Sequence, residues 1–115
     1  MSITILDGGM GQELVRRSKD RPTALWSTQV MMDHPELVQE VHEDFFAAGA
    51  QIATTNTYAL LRDRLAHVGL EDRQADLTDV AIKAAERARD AAGRGAAGGG
   101  LIAGSIGPLV QSYRP

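Results

Sequence analysis

Cysteine is absent from the sequence. No disulfide can brace this chain, and no thiolate from within it can ligate a metal or act as a nucleophile. Positive charge is not in surplus either. The formal net charge is -3 and Lys and Arg are spread along the chain, which leaves no basic cluster for nucleic acid or an anionic membrane. No apolar run approaches the ~18 residues of a membrane-spanning helix. The opening Met1-Ser2-Ile3-Thr4-Ile5 lacks a basic stretch followed by an apolar one, so no secretory leader is read there and a cytoplasmic location is expected. Histidine occurs only as His34, His42 and His67. None is spaced from another like a ligand pair, and all three read as surface or helix-end residues.

What is present reads as one globular domain over residues 1–115: 43% of the residues are apolar and 23% charged. Ile3 to Leu6 is a short apolar run closed by Asp7-Gly8-Gly9, the pattern of a buried strand. Gly11 to Ser18 reads as a short helix with Leu14 and Val15 as its apolar side. Lys19 to Thr23, with Pro22, reads as a loop. Pro35 suits the first position of the next helix and Glu36 its first turn. Val38, Val41, Phe45 and Ala48 follow as a buried stripe, and Gly49 is placed to end the helix. In the Phe45-Phe46 pair one ring is expected in the core and the other between helices. Ala50 to Thr54 reads as a second strand. A short helix is expected over Leu60 to His67, stopped by Gly69. A long one over about Asp72 to Ala92 carries the stripe Leu77, Val80, Ala81, Ala84, Ala85 and Ala88. Gly93 to Gly100 reads as a flexible connector, and Leu101 to Ile106 as a third buried strand. Val110 to Pro115 has no assigned structure.

Strand, helix, strand, helix, strand predicts an α/β fold with parallel strands. Two architectures begin this way: the doubly wound nucleotide fold and the (β/α)8 barrel, which needs about 250 residues to close. In both, working groups lie past the C-terminal ends of the strands. Three clusters sit there: Asp7-Gly8-Gly9-Met10-Gly11, Thr54-Thr55-Asn56-Thr57-Tyr58 and Gly104-Ser105-Ile106-Gly107-Pro108. The first is neither a dinucleotide fingerprint nor a Walker loop, and the second strand ends without the acid that would hold a ribose.

Asp7 is the carboxylate at a strand end. It would attract a ligand's amino group, or else cap the next helix or pair with amides of the glycine turn. Thr55, Asn56 and Thr57 could hydrogen-bond a ligand carboxylate or form a polar turn that satisfies itself. Tyr58 could supply an aromatic wall. Trp26 is open between core packing, covering the barrel mouth and ligand contact.

The strings Ile5-Leu6-Asp7-Gly8-Gly9-Met10-Gly11 with Glu13-Leu14, Leu25-Trp26-Ser27, His34-Pro35-Glu36-Leu37-Val38 with His42 and Ala48-Gly49-Ala50, Thr54-Thr55-Asn56-Thr57-Tyr58, and Ala103-Gly104-Ser105-Ile106-Gly107-Pro108 together resemble the N-terminal portion of homocysteine S-methyltransferases. The order and spacing match over essentially the whole chain, and the S-methylmethionine-using branch looks nearest. The resemblance implies the N-terminal strands and helices of a (β/α)8 TIM barrel, incomplete in this chain. It implies methyl transfer from a donor such as S-methylmethionine to the homocysteine thiolate, giving methionine. It also implies a zinc cofactor held by cysteines of later strands, absent here, so that this chain alone would be inactive. By position, Asp7 would bind the homocysteine amino group, with Gly8 and Gly9 shaping the floor. Thr55, Asn56, Thr57 and Tyr58 would line the pocket, Tyr58 and Trp26 would face the donor, and Ser105 would sit at the third strand end. A stand-alone α/β binding module for an amino acid or nucleotide is the alternative.

Overall fold

The computed structural model describes residues 2–93 and 100–109. Helices α1 (Met10–Ser18), α2 (Ser27–Asp33) and α3 (Pro35–Ala47) precede strand β1 (Ile52–Thr54). Helix α4 (Arg62–Ala66), a 3-10 turn (Glu71–Arg73), helix α5 (Gln74–Ala91) and strand β2 (Leu101–Ala103) follow. The strands pair in parallel, with Ile52, Ala53 and Thr54 opposite Leu101, Ile102 and Ala103. The chain is therefore an α/β unit.

Helices α1, α3 and α5 form for local reasons. In α1, Met10 and Leu14 lie one turn apart on the buried side. Glu13 reaches both Arg16 and Arg17 across one turn. Lys19 ends the helix in a left-handed conformation, φ 61. Helix α3 starts at Pro35, whose missing N–H costs nothing there, and Gly49 follows it at φ +113. Helix α5 buries Leu77, Ala81, Ala84, Ala85 and Ala88. That alanine stripe lets α3 and α5 approach closely. Phe46 of α3, Ala53 of β1 and Ala88 of α5 form one buried cluster, which places both helices on the same face of the sheet. Successive strand residues alternate faces, so Ile52 and Thr54 point to the opposite face. The larger core lies beside it, where α1, α2, α3 and α5 bury Leu14, Met31, Val38, Val41 and Leu77.

Several expectations are corrected. Ile3 to Leu6 is not a buried strand: one parallel bridge, Leu6 to Ile52, remains, and Ile3, Ile5 and Leu6 are exposed. The Gln51 side chain, rather than a second strand, accepts the Ile5 N–H. The third strand is shorter than expected, ending at Ala103, and Leu101 and Ile106 are exposed instead of buried. These apolar side chains have no covering element among the described residues. The α3 stripe runs through Val38, Val41, His42 and Phe46; Phe45 is half-buried and Ala48 exposed. His42 is thus fully buried, not at a surface. Helix α2 was not anticipated. The expected connector lies mostly, and the segment Val110 to Pro115 wholly, outside the described residues.

Candidate functional site

The strand ends meet through hydrogen bonds that the sequence alone does not reveal. Backbone bonds from Asp7 N–H to the Ile52 carbonyl (3.2 Å) and from Thr55 N–H to the Ala103 carbonyl (2.9 Å) bring the three clusters to one edge. Asp7 then turns its half-buried carboxylate onto β1. Thr54 N–H donates to Oδ2 at 2.8 Å and the Thr54 hydroxyl donates to Oδ1 at 2.9 Å. Asp7 therefore does not cap α1, whose N-cap is Gly9 without a side-chain bond. A carboxylate has about four lone-pair positions. Thr54 takes one on each oxygen, which fixes the group's orientation and leaves acceptor capacity for a cation.

Gly8 and Gly9 follow, both exposed. A Cβ on Gly8 would lie 2.9 Å from Cε1 of Phe45, so this turn rests directly on α3. Nothing lies within 4 Å of the corresponding position on Gly9.

The second and third clusters knit together. The Thr55 and Thr57 hydroxyls are 2.8 Å apart. The Thr57 hydroxyl donates to the Ser105 carbonyl at 2.6 Å. Ser105 N–H lies 3.3 Å from the Thr55 hydroxyl and 3.2 Å from that of Thr57. Asn56 is buried, and its amide donates to the Ser27 carbonyl at 3.3 Å. These groups build the wall of the site largely by satisfying one another. Gly107 has no room for a side chain, because a Cβ there would clash with the Tyr58 carbonyl oxygen. Tyr58 itself is 47% exposed, with the Arg64 guanidinium 5.6 Å from its ring centroid.

Trp26 is 53% exposed, which removes core packing from its possible roles. Its φ of 45 is rare for a residue with a side chain. The bond from Asn56 to Ser27 holds the neighbouring backbone at the site. The Trp26 ring, however, lines a groove of about 320 Å³ between α1 and α2, with Val15, Arg21, Val30 and Asp33. Of the nine predicted site residues, only Trp26 lines it.

Electrostatics distinguish the three histidines. His34 joins α2 to α3 and holds the Asp20 carboxylate at 2.8 Å. That hydrogen bond raises its pKa above the usual histidine value, against a smaller opposing effect of burial. His67 is the exposed C-cap residue of α4. His42 is the one that sequence reasoning missed. Burial pushes its pKa down to about 4, and the nearby Asp7 charge opposes that shift. Its spacing held a signal: it stands four residues after Val38 and four before Phe46, on the buried stripe.

Among the described residues no group of three or more His, Asp or Glu side chains is placed to hold a metal ion. Cysteine is absent from the whole chain. The residues present do not fit a zinc site. Among the described residues no helix is long and apolar enough to cross a membrane.

Parallel strands covered by helices on one face, with a carboxylate fixed at the strand ends, define an α/β unit. Comparison with known proteins narrows this. The homocysteine S-methyltransferase family profile matches residues 4–115, and the chain belongs to that family. Homocysteine S-methyltransferase of Escherichia coli (strain K12) is 40% identical over 109 residues, covering 92% of this chain and 35% of that protein. Homocysteine S-methyltransferase YbgG of Bacillus subtilis (strain 168) is 38% identical over 89 residues, covering 76% and 28%. The crystal structure of the homocysteine methyltransferase MmuM from Escherichia coli, metallated form, superposes with a TM-score of 0.82 at 38% identity, over 95% of this chain and 39% of that one. The chain thus spans about a third of the length of these relatives.

Proposed function

We propose that residues 1–115 are the N-terminal part of a (β/α)8 barrel that transfers a methyl group from a donor such as S-methylmethionine to the sulfur of homocysteine, forming methionine in the cytoplasm. The observation that carries the reading is Asp7, a strand-end carboxylate oriented by Thr54 with acceptor capacity to spare. An α-ammonium group is the complementary partner. Gly8 and Gly9 let the ligand approach the backbone closely. Thr55, Asn56, Thr57 and Ser105 form the wall beside it, held by their mutual bonds. Tyr58 presents an exposed ring on the donor side, where an aromatic face suits a sulfonium cation, whereas Trp26 lines the separate groove between α1 and α2.

Homocysteine thiolate chemistry is the part supplied by zinc in this reading, with ligands from chain beyond Pro115. These 115 residues alone would be inactive. The relatives are matched over only about a third of their length, which supports a continuing barrel.

The test is to express the chain with its downstream reading frame. Zinc content and methionine formation from homocysteine and S-methylmethionine would then be measured. Bound zinc with methionine formed supports the proposal. A protein that forms no methionine with sulfonium, betaine or folate donors rejects it.

A further inference from the structure

The groove between α1 and α2, about 320 Å³, is at the small end of the roughly 300–1,000 Å³ typical of small-ligand sites. Its floor is apolar: Val30 is buried and Val15 half-buried. One wall is the Trp26 ring, 53% exposed. Burying an indole is ordinarily favoured. Here the backbone holds it out at φ 45, ψ -119, a conformation that persists only where the surroundings impose it. The preceding turn imposes it: Trp26 N–H donates to the Thr23 carbonyl at 3.0 Å and Leu25 N–H to the Thr23 hydroxyl at 3.2 Å. Charge in the groove is divided. The Arg21 guanidinium lines it and makes no hydrogen bond or ion pair among the described residues. The Asp33 carboxylate lines it too, with the Gln29 amide donating to Oδ2 at 3.0 Å and Oδ1 left open. The other carboxylate there, Asp20, is held by His34 at 2.8 Å. Opposite charges that share a groove without pairing leave room for a ligand that carries both.

We propose that this groove is a second binding site, for a free α-amino acid with an apolar side chain of methionine's size. Arg21 takes the α-carboxylate, which a guanidinium can bind through two parallel N–H donors. Asp33 takes the α-ammonium on its open oxygen. The ligand side chain lies on Val15 and Val30 against the Trp26 ring, where a thioether or alkyl chain gains contact without burying a polar group. Binding is non-covalent and separate from the strand-end site: Asp7, Thr54 and Ser105 do not line this groove.

Calorimetric titration of the complete protein with L-methionine tests this, in an Asp7→Asn background that weakens binding at the strand ends. A saturable site should appear, and Arg21→Ala and Asp33→Asn should each weaken it at least about fivefold. Both side chains are exposed, so neither change removes a core contact. With the groove unaltered, methionine methyl ester lacks the carboxylate and N-acetylmethionine lacks the ammonium. Each should bind at least about tenfold more weakly than methionine. No saturable binding up to about 10 mM, an affinity unmoved by both groove substitutions, or analogues that bind as tightly as methionine would each overturn the proposal. Methyl transfer is not needed for this test. A complete protein that forms no methionine would defeat the proposed function, while the titration would still decide the groove.

Discussion

Asp7 and Thr54 form the joint on which the site depends, and two bonds carry it. Removing the carboxylate would leave the Thr54 amide and hydroxyl without that acceptor, so Asp7→Ala removes a structural contact along with the proposed ligand contact. Asp7→Asn keeps one acceptor oxygen and separates the two. The surface ion pairs give predictions of another kind. The hydrogen bond to Asp20 raises the His34 pKa, so the pair stabilises the fold below the ordinary histidine value. That contribution fades as pH rises through the raised folded-state value. Thermal unfolding from pH 5 to 8 should show a downward step that Asp20→Asn removes. Glu13 behaves oppositely. Its hydrogen bond to Arg16, then that to Arg17, lowers its pKa to about 2. Its contribution is present above the unfolded value of 4.5 and is lost as pH falls toward 2. Glu13→Gln should flatten the acid side of the same profile. Arg17 also reaches Asp44 at 2.7 Å, so this group of charges ties α1 to α3.

At the scale of elements, α1, α3, β1 and α5 were legible because capping residues and periodic apolar positions agree there. Pro35 and Gly49 bracket α3, and the alanine stripe of α5 is unbroken. Helix α2 was not legible. Its seven residues, STQVMMD, are too short for a helical period to stand out, and tertiary burial of Thr28, Val30 and Met31 decides their conformation. The outer segments pair with β1 over shorter runs than a β-rich sequence predicts: the first through one bridge, Leu6 to Ile52, and the third only to Ala103. The site was legible as three glycine- and threonine-rich strand ends. Its internal wiring, from Thr57 to Ser105 and from Asn56 to Ser27, depends on contacts between residues 29 to 48 apart in sequence. Two substitutions probe the elements. Leu14→Ala, at a position with no exposure, should cost about 2–5 kcal/mol in denaturant unfolding. Gly107→Ala should cost about 1–3 kcal/mol by displacing the Tyr58 backbone. A Gly107→Ala protein as stable as the parent would remove that close contact from the account.

Among the described residues, the sheet has one covered and one open face. Helices α3 and α5 cover the first, while Ile3, Ile5, Leu6, Leu101 and Ile106 remain exposed around the strands. Exposed apolar side chains beside unpaired strand edges favour association. The 115-residue chain by itself should therefore scatter light in a concentration-dependent way, and Leu6→Lys should reduce the effect. The same edge carries Asp7, so the proposed role of its carboxylate requires the strand ends to face the ligand. The measurement that tests this most directly is the homocysteine KM of Asp7→Ala in the complete protein. Loss of a charge-assisted bond predicts a rise of roughly ten- to hundredfold, with Asp7→Asn between the two. A KM equal to that of the unmodified protein would contradict the role assigned to Asp7.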